Sequence, residues 1–325
     1  MAKVSLIFRT DVHVADHSPP SWKGDYPAEI WSNLTQIGDL ARKYQCKAVL
    51  DGGDYFHVKA PTKNSHGLVA KSASVQGGYP CDTWSIEGNH DMKFNNLDLV
   101  SEQPLGVLFE SGVFKHLRDT VFEEGPVRVR VVGVPYNPNR TLEELRDIKK
   151  KSGDTYLVAV VHALAADKPP AHVEGFMGEP VFRYQDLITD EGPDVWCFGH
   201  WHQDQGIVEI RGRRFVNQGA VSRGALTKEN LKREPKVSLL EFTEEGFTTD
   251  SIPLKVLPAS EVFDLERKER QDRENLTIQQ FVGAIKAQTS EVNPENDINT
   301  TIGTLDFADN VRVRALEFLE RAREK

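Results

Sequence analysis

Short apolar segments alternate with helical patterns along the first two thirds of the 325-residue chain. The apolar segments have the length of buried strands and lie at 3–8, 48–50, 83–86, 127–134, 156–161 and 195–198. After Pro27, apolar side chains recur at helical spacing from Ile30 to Tyr44, and helical patterns also lie at 67–75 and 142–150. This alternation predicts an α/β fold in which helices flank a sheet.

The pattern changes after Gln205. Four strand-like segments follow one another, with turn residues but no strong helical pattern between them, at 207–210, 214–216, 237–242 and 247–254. We expect these strands to form hairpins that complete a second sheet. The predicted architecture over residues 1–258 is therefore two packed mixed β-sheets flanked by helices.

Residues 259–325 are predicted to form a helical C-terminal extension. Thr277 and Gln280 match a capping box at the start of a helix over 277–286. A second apolar face predicts a helix at 311–322, and the polar stretch at about 287–306 predicts a linker.

Composition excludes several classes of protein. The net charge of −9 argues against a protein that coats nucleic acid through bulk positive charge. Three widely spaced cysteines without a C-x-x-C motif indicate a reducing compartment. The apolar stretch at 156–166 is far shorter than the roughly 20 residues of a membrane helix, and the N-terminal run is too short for a signal peptide. We therefore expect a cytoplasmic protein without a membrane segment.

Five short polar motifs follow the predicted strands. They are Asp11-Val12-His13, Gly53-Asp54, Gly88-Asn89-His90-Asp91, His162 and Gly199-His200-Trp201-His202. Each is common by itself, since a Gly-Asp pair is usually a turn and a lone histidine is usually a hydrogen-bonded surface residue. Together they place carboxylate, amide and imidazole groups at the edge of a sheet where ligands bind in α/β folds.

This mixed ligand set suits Mn²⁺, Fe²⁺, Zn²⁺ or Ni²⁺ better than Ca²⁺. The candidate ligands are two Asp, one Asn and four His. Seven side chains are too many for one ion and suit two ions that share a ligand. Two such ions stabilise the attacking and leaving oxygens of an in-line phosphoryl displacement.

The ordered set of motifs resembles the calcineurin-like metallophosphoesterase superfamily over roughly residues 1–255. The resemblance implies two divalent metal ions, with Mn²⁺ as the expected metal, and a water between them that attacks phosphorus. It implies that one ion is bound by Asp11, His13, Asp54 and His202, and the other by Asp54, Asn89, His162 and His200. In the same family pattern His90 is not a ligand but protonates the leaving oxygen, and Asp91 would orient the ring of His90.

A finer resemblance is to the SbcD-like DNA-repair exonucleases, and it suggests a compact, phage-type member. Gly-Asp-Tyr-Phe-His at 53–57, followed by Ala-Pro-Thr at 60–62, is similar to their G-D-L-F-H…P-S segment. The segment 216–223 is similar to their N-P-G-S…R segment, although Gln218 and Ala220 replace the Pro and Ser. This resemblance implies that His57 assists transition-state binding; the alternative is a loop histidine that packs on Pro61.

Three further residues are predicted to contact the substrate, namely Arg223, Tyr55 and Trp201. The aromatic rings either stack on a base or only line the site. Residues 206–236 contain eight Lys or Arg against three Glu. Such a stretch either follows a phosphate backbone or is an ordinary charged hairpin.

The leading hypothesis is a two-metal phosphodiesterase that cleaves DNA in repair or recombination, as an exonuclease and also as a single-strand endonuclease. The alternatives are a phosphatase or cyclic-nucleotide phosphodiesterase of the same superfamily, and a non-catalytic scaffold. One expected partner is DNA. The other, bound through the C-terminal helices, is an SbcC-like ATPase or a second copy of the chain. The competing expectation is that these helices dock on their own body.

Overall fold

The computed structural model describes residues 2–169 and 178–267, together with Arg270 and Arg273. The chain divides into one compact unit at Met1–Phe263 and a second at Asp264–Lys325. The helices predicted at 277–286 and 311–322, and the linker at 287–306, lie outside the described residues. Within the part of the chain that is described, no helix has both the length and the apolarity needed to cross a membrane.

The described residues form fourteen strands, five α-helices and four short 3-10 helices. The strands are β1 (Val4–Arg9), β2 (Ala48–Asp51), β3 (Asp82–Ser85), β4 (Phe114–His116), β5 (Asp119–Glu124), β6 (Val127–Val134), β7 (Tyr156–His162), β8 (Ala165–Ala166), β9 (Phe182–Arg183), β10 (Val195–Gly199), β11 (Gly206–Ile210), β12 (Arg213–Asn217), β13 (Lys236–Phe242) and β14 (Phe247–Pro253). The α-helices are α1 (Tyr26–Lys43), α2 (His66–Gly77), α3 (Pro104–Glu110), α4 (Leu142–Arg146) and α5 (Ala259–Val262). The 3-10 helices are Pro61–Lys63, Lys93–Asn95, Leu97–Glu102 and Tyr184–Leu187.

Twelve of these strands form two six-stranded mixed sheets. Their orders are β14-β13-β1-β2-β3-β4 and β11-β12-β10-β7-β6-β5, and β8 pairs separately with β9. Strands β1 to β4 run parallel, as do β6, β7, β10 and β12. The prediction of two mixed sheets flanked by helices is confirmed.

The main hydrophobic core lies between the two sheets. Leu6 and Leu50 of the first sheet pack in one cluster with Val129, Val160 and Val216 of the second. A second cluster, which includes Trp196, Phe215 and Tyr184, covers the other face of the second sheet. Because this sheet is buried on both faces, β7 and β10 are continuous apolar runs rather than alternating ones.

Helix α1 begins where the sequence predicts a helix. The carboxylate of Asp25 accepts the N–H of Ala28 as the N-cap, and Pro27 lies in the first turn. Helix α4 is shorter than the predicted 142–150, although its capping box forms. It ends at Arg146, and the N–H of Lys150 donates to the carbonyl of Glu191 instead of to its own helix.

The strands after Gln205 do not all belong to one sheet, so that expectation was wrong. The hairpin β11–β12 joins the second sheet through β10, whereas β13 of the β13–β14 hairpin pairs with β1 in the first sheet. An apolar pattern identifies a strand but does not specify its neighbour.

The unit that contains the sheets extends past the predicted boundary at residue 258. Val262 and Phe263 are buried. The ring of Phe263 packs edge-on against Trp22, with 5.3 Å between centroids, and the N–H of Lys23 donates to the carbonyl of Val262. Residues 259–263 therefore belong to the body formed by the sheets.

We expect Phe263→Ala to lower the free energy of unfolding by roughly 3–5 kcal/mol, because it removes a fully buried aromatic side chain. Leu257→Ala is the matched control, since Leu257 is 57% exposed and its truncation should cost less than about 0.5 kcal/mol. Denaturant titration of both variants measures the difference. Equal, small effects would show that residues 259–263 contribute little to the core.

Candidate metal centre

The parallel strands bring the five polar motifs to one edge of the two packed sheets. The first three motifs follow β1, β2 and β3 of the first sheet. His162 ends β7 and His200 follows β10, and the register of these strands pairs His162 with Gly199. This edge, at the carboxyl ends of the strands, is where α/β folds bind ligands.

The predicted ligands form two groups that share Asp54. Within each group, one potential ligand atom from every residue lies within 4.8 Å of all the others. The groups are Asp11, His13, Asp54 and His202, and Asp54, His162 and His200. Asn89 adjoins the second group, because its Oδ1 lies 3.2 Å from Nε2 of His162.

The donor atoms converge as ligands of a cation do. The Nε2 atoms of His13 and His202 lie 3.0 Å apart, and Nε2 of His162 lies 3.5 Å from Oδ2 of Asp54. Nδ1 of His162 is 2.6 Å from the carbonyl oxygen of Gly52, so a proton on Nδ1 leaves the Nε2 lone pair free for a metal. Imidazole, carboxylate and amide donors in two groups with a shared carboxylate fit two divalent transition-metal ions.

The charge states of Asp11, Asp54 and His13 also suit metal binding. Burial raises the pKa of Asp11, but the hydrogen bond and charge of His202 outweigh it and lower the pKa to about 2. Burial likewise opposes ionisation of Asp54, yet the nearby His162 and His13 lower its pKa. Burial and the charge of His202 lower the pKa of His13 well below its usual value. At neutral pH the carboxylates are ionised and His13 is neutral, which are the forms that bind cations. For His202, burial lowers the pKa, but the hydrogen bond and charge of Asp11 outweigh it and raise the pKa, so this ring must lose a proton to bind an ion.

Four of the seven predicted ligands have left-handed backbone conformations, with φ of 53° at Asp11, 52° at His13, 55° at Asp54 and 84° at His200. Such angles are uncommon in non-glycine residues and cluster at functional sites. The loops also approach each other closely, since a Cβ at Gly88 would lie 2.1 Å from Oδ1 of Asp54. Only glycine fits at that position.

His90 and His57 lie beside the first group. The ring of His90 meets that of His13 edge-on at 4.9 Å between centroids, and His57 stacks on His90 at 5.8 Å. Nδ1 of His90 lies 2.7 Å from the carbonyl oxygen of His57, so its Nε2 is left for a substrate. Burial and the charge of His90 lower the pKa of His57, which is therefore neutral at pH 7.

Asp91 does not orient the ring of His90, so this prediction was wrong. Its buried carboxylate accepts backbone N–H groups from Asp54 at 2.7 Å, Gly88 at 3.0 Å and Phe56 at 3.3 Å. The side chain turns inward, where it ties the loop after β2 to the loop after β3. Asp91 therefore positions Asp54 and His90 through the backbone.

Two of the three predicted substrate contacts are also wrong, because both side chains are buried. Tyr55 is fully buried, and its ring packs against Phe114 at 5.0 Å. Arg223 is 2% exposed and donates two hydrogen bonds to the carboxylate of Glu29, at 3.2 and 2.6 Å. Trp201 is partly exposed, and its contact with substrate stays a prediction.

Most of the Lys and Arg side chains at 206–236 form hydrogen bonds or ion pairs within the fold. Arg233 is buried and donates to the backbone carbonyls of Ala220 and Ser222. Four more of these residues form ion pairs, namely Arg213 with Asp194, Arg214 with Glu209, Arg223 with Glu29 and Lys236 with Asp204. This stretch therefore does not present a continuous basic stripe.

The structure adds two features that no motif indicated. The carboxylate of Glu179 reaches His200, with 3.0 Å between Oε2 and Nε2. Phe94 follows the Gly88–Asp91 motif and is 81% exposed. A single glutamate in a loop and a single exposed phenylalanine carry no sequence signal by themselves.

The model of the calcineurin-like phosphoesterase family matches residues 5–204. The chain belongs to this family. It is accordingly a metal-dependent hydrolase of phosphoesters, and its clustered Asp and His residues are suited to divalent metal ions.

Comparison with solved structures finds matches at low sequence identity. The Thermus thermophilus sulfate thiohydrolase SoxB is 13% identical, with a TM-score of 0.44 over 85% of this chain and 61% of that one. The Bacillus subtilis calcineurin-like phosphoesterase YfkN is 12% identical, with a TM-score of 0.46 over 84% and 97% of the two chains. A dimetal phosphatase from Danio rerio is 11% identical, with a TM-score of 0.49 over 78% and 99%. Comparison with curated protein sequences gave no match.

We expect Asp54→Ala to lose both metal ions, because Asp54 belongs to both ligand groups. His202→Ala should lose only one, because His202 belongs to the first group alone. Elemental analysis after dialysis against Mn²⁺ measures the metal content, with Asp186→Asn as an exposed-carboxylate control. Retention of one tightly bound ion in Asp54→Ala would contradict a shared ligand.

Proposed function

We propose that the protein is a phosphodiesterase that cleaves DNA, with exonuclease activity and single-strand endonuclease activity. The observation that carries this proposal is the surface beside His57 and His90. It combines exposed lysines with an exposed aromatic ring on ordered segments of backbone.

The lysines lie on the loop that follows His57, residues 57–65. The side chain of Asn64 donates to the carbonyls of Val58 and Ala60, both at 2.9 Å, and fixes the loop. Lys59 and Lys63 are exposed on it, and no acidic residue occurs between positions 55 and 81. Positive charge on a loop that begins at His57 suits a polyanionic backbone.

The aromatic ring is that of Phe94, four positions after His90. The backbone there is left-handed, with φ of 57° at Phe94 and 53° at Asn95. The ammonium of Lys93 lies 5.1 Å from the ring centroid, a cation–π contact that leaves Phe94 81% exposed. An exposed ring four residues after His90 can stack on a nucleobase, and such stacking is worth about 1–3 kcal/mol.

The competing function is a phosphatase, which hydrolyses phosphate monoesters. A monoester carries one more negative charge than a diester. Arginine would be the natural partner of that charge. Arg223 and Arg233, which follow the Gly199–His202 motif in the chain, are buried and already bonded within the fold, so neither is free to meet that charge. This favours a diester over a monoester.

The bound ions and the residues of the chain would have separate roles in catalysis. Two divalent ions bound at the centre would supply a water nucleophile and stabilise charge on the attacking and leaving oxygens. His90, held at Nδ1 by the carbonyl of His57, presents Nε2 as the donor of a proton to the leaving oxygen. The ring of His57 lies nearly parallel to that of His90, with 5.8 Å between their centroids.

An SbcC-like ATPase is the partner that we propose for the C-terminal helices, and DNA repair or recombination is the process. These helices lie outside the described residues. A pull-down of the full chain with such an ATPase tests the partner separately from the chemistry.

The test of the chemistry is incubation with Mn²⁺ and four substrates. These are a single-stranded oligonucleotide, the same oligonucleotide with abasic sites, bis(p-nitrophenyl) phosphate and p-nitrophenyl phosphate. We expect cleavage of both oligonucleotides and of the diester. Intact DNA with rapid hydrolysis of the monoester would overturn the proposal in favour of a phosphatase, and no hydrolysis of any substrate would support a scaffold.

In the same assay, Phe94→Ala should lower kcat/KM for the single-stranded oligonucleotide by roughly 5- to 150-fold, the equivalent of one lost stacking contact. The abasic oligonucleotide and the small diester should be unaffected, because they offer no base to stack. Leu97→Ala is the matched control, since Leu97 is also apolar and is 44% exposed. An equal loss on all substrates would show that Phe94 acts on the centre itself.

His90→Asn should keep its metal content while kcat on DNA falls by roughly 10²–10⁴-fold, the range for a lost general acid. The loss should be smaller on bis(p-nitrophenyl) phosphate, because p-nitrophenolate leaves without a proton. Steady-state kinetics and elemental analysis measure both quantities. Loss of metal from this variant would make His90 a ligand and the assignment wrong.

A further inference from the structure

Tyr26 is the first residue of α1 and belongs to none of the five motifs. Its side chain is buried, and its hydroxyl donates to the carbonyl of His13 at 3.0 Å. The bond reaches the backbone of a predicted ligand of the first ion and not its ring. It therefore joins α1 to the metal centre without occupying a nitrogen that an ion would need.

The backbone of His13 is bonded on both sides. Its N–H donates to the carbonyl of Asp54 at 3.0 Å, and its carbonyl accepts the hydroxyl of Tyr26. These bonds hold the two peptide groups that flank a residue whose φ is 52°, and such a backbone persists only where its surroundings determine it. Because the flanking peptide groups set the direction of the bond from Cα to Cβ, the two hydrogen bonds also aim the imidazole.

The ring of His13 lacks the support that usually fixes a metal-binding histidine. Such a ring commonly donates its second N–H to a carboxylate or a carbonyl. His162 follows this rule, since its Nδ1 lies 2.6 Å from the carbonyl oxygen of Gly52. Nδ1 of His13 is buried and, among the residues that the structure describes, has no hydrogen-bond partner. The direction of this ring therefore depends on its backbone more than that of His162 does.

Tyr26 is itself held in place. Its N–H donates to Oγ of Ser18 at 3.0 Å, and its ring meets Trp22 edge-on, with 5.1 Å between centroids. Trp22 is fixed in turn, because its Nε1–H donates to the carbonyl of Arg223 at 3.1 Å. The hydroxyl of Tyr26 therefore has a fixed position next to the loop that follows β1.

We propose that Tyr26 is a positioning residue of the first metal site, and that its hydroxyl sets the direction of the His13 imidazole through the backbone. Loss of the hydroxyl leaves the buried carbonyl of His13 without a donor, and the left-handed peptide can then turn. His13 belongs to the first ligand group and not to the second, so the second site should not respond. The proposal concerns the metal centre alone and does not depend on DNA as substrate.

Calorimetric titration of metal-free protein with Mn²⁺ tests the proposal in two backgrounds. His200→Ala weakens the second site and leaves the first to be measured, and His202→Ala does the reverse. Adding Tyr26→Phe, which removes only the hydroxyl, should lower the affinity of the first site by roughly 10-fold, the lower end of the range for a group that supports a ligand. The affinity of the second site should not change.

Tyr184→Phe is the matched control. Tyr184 is also buried, but its hydroxyl has no hydrogen-bond partner in the described part of the chain. Its loss should leave both affinities unchanged. Trp22→Leu keeps the hydroxyl of Tyr26 but removes the ring that packs on it, so it should give a smaller loss, again at the first site alone.

Unchanged affinity of the first site after Tyr26→Phe would overturn the proposal. An equal loss at both sites would overturn it as well, because it would show that the hydroxyl supports the fold and not one ligand. Thermal melts and circular dichroism of the metal-free variants establish that each is folded.

Discussion

The metal centre depends on one buried carboxylate that binds neither metal nor substrate. Asp91 accepts the backbone N–H groups of Asp54, Phe56 and Gly88 and so joins the loops after β2 and β3. Asp54 is the residue that both ligand groups share, and its Oδ1 in turn accepts the N–H of His90. Each donor left without its acceptor would cost about 1–3 kcal/mol, so these bonds fix the shared ligand and the candidate acid together.

The two sheets contribute different halves of the centre. The first supplies Asp11, His13, Asp54 and the Gly88–Asp91 motif, and the second supplies the histidines at the end of β7 and after β10. The halves meet through direct contacts, such as His162 with the carbonyl of Gly52 and the N–H of His200 with Asp11. Their spacing is therefore set by the apolar core between the sheets, where Leu6 packs in one cluster with Val160.

The sequence is sufficient to predict the fold class and the convergence of the motifs, because parallel strands end at one edge whatever their order. It does not predict where a side chain points once the chain leaves a strand. Asp91 turns inward, Tyr55 enters the core, and Arg223 meets Glu29, a residue distant in the sequence. The sheet assignment of β13 and β14 depends on pairing with β1, and the position of Glu179 depends on Tyr136. None of these contacts leaves a local pattern.

Three of the four left-handed residues of the centre, Asp11, His13 and Asp54, are held by backbone hydrogen bonds between the loops after β1 and β2. The N–H groups of Asp11 and His13 donate to the carbonyls of Gly53 and Asp54, and Val14 continues the series with Tyr55. Strained backbone persists only where the surroundings determine it, and here the backbone of the neighbouring loop supplies those bonds. A pocket held by its own backbone can exchange its ion without refolding. The metal that the enzyme carries is then set as much by the buffered metal supply of its cell as by the pocket itself.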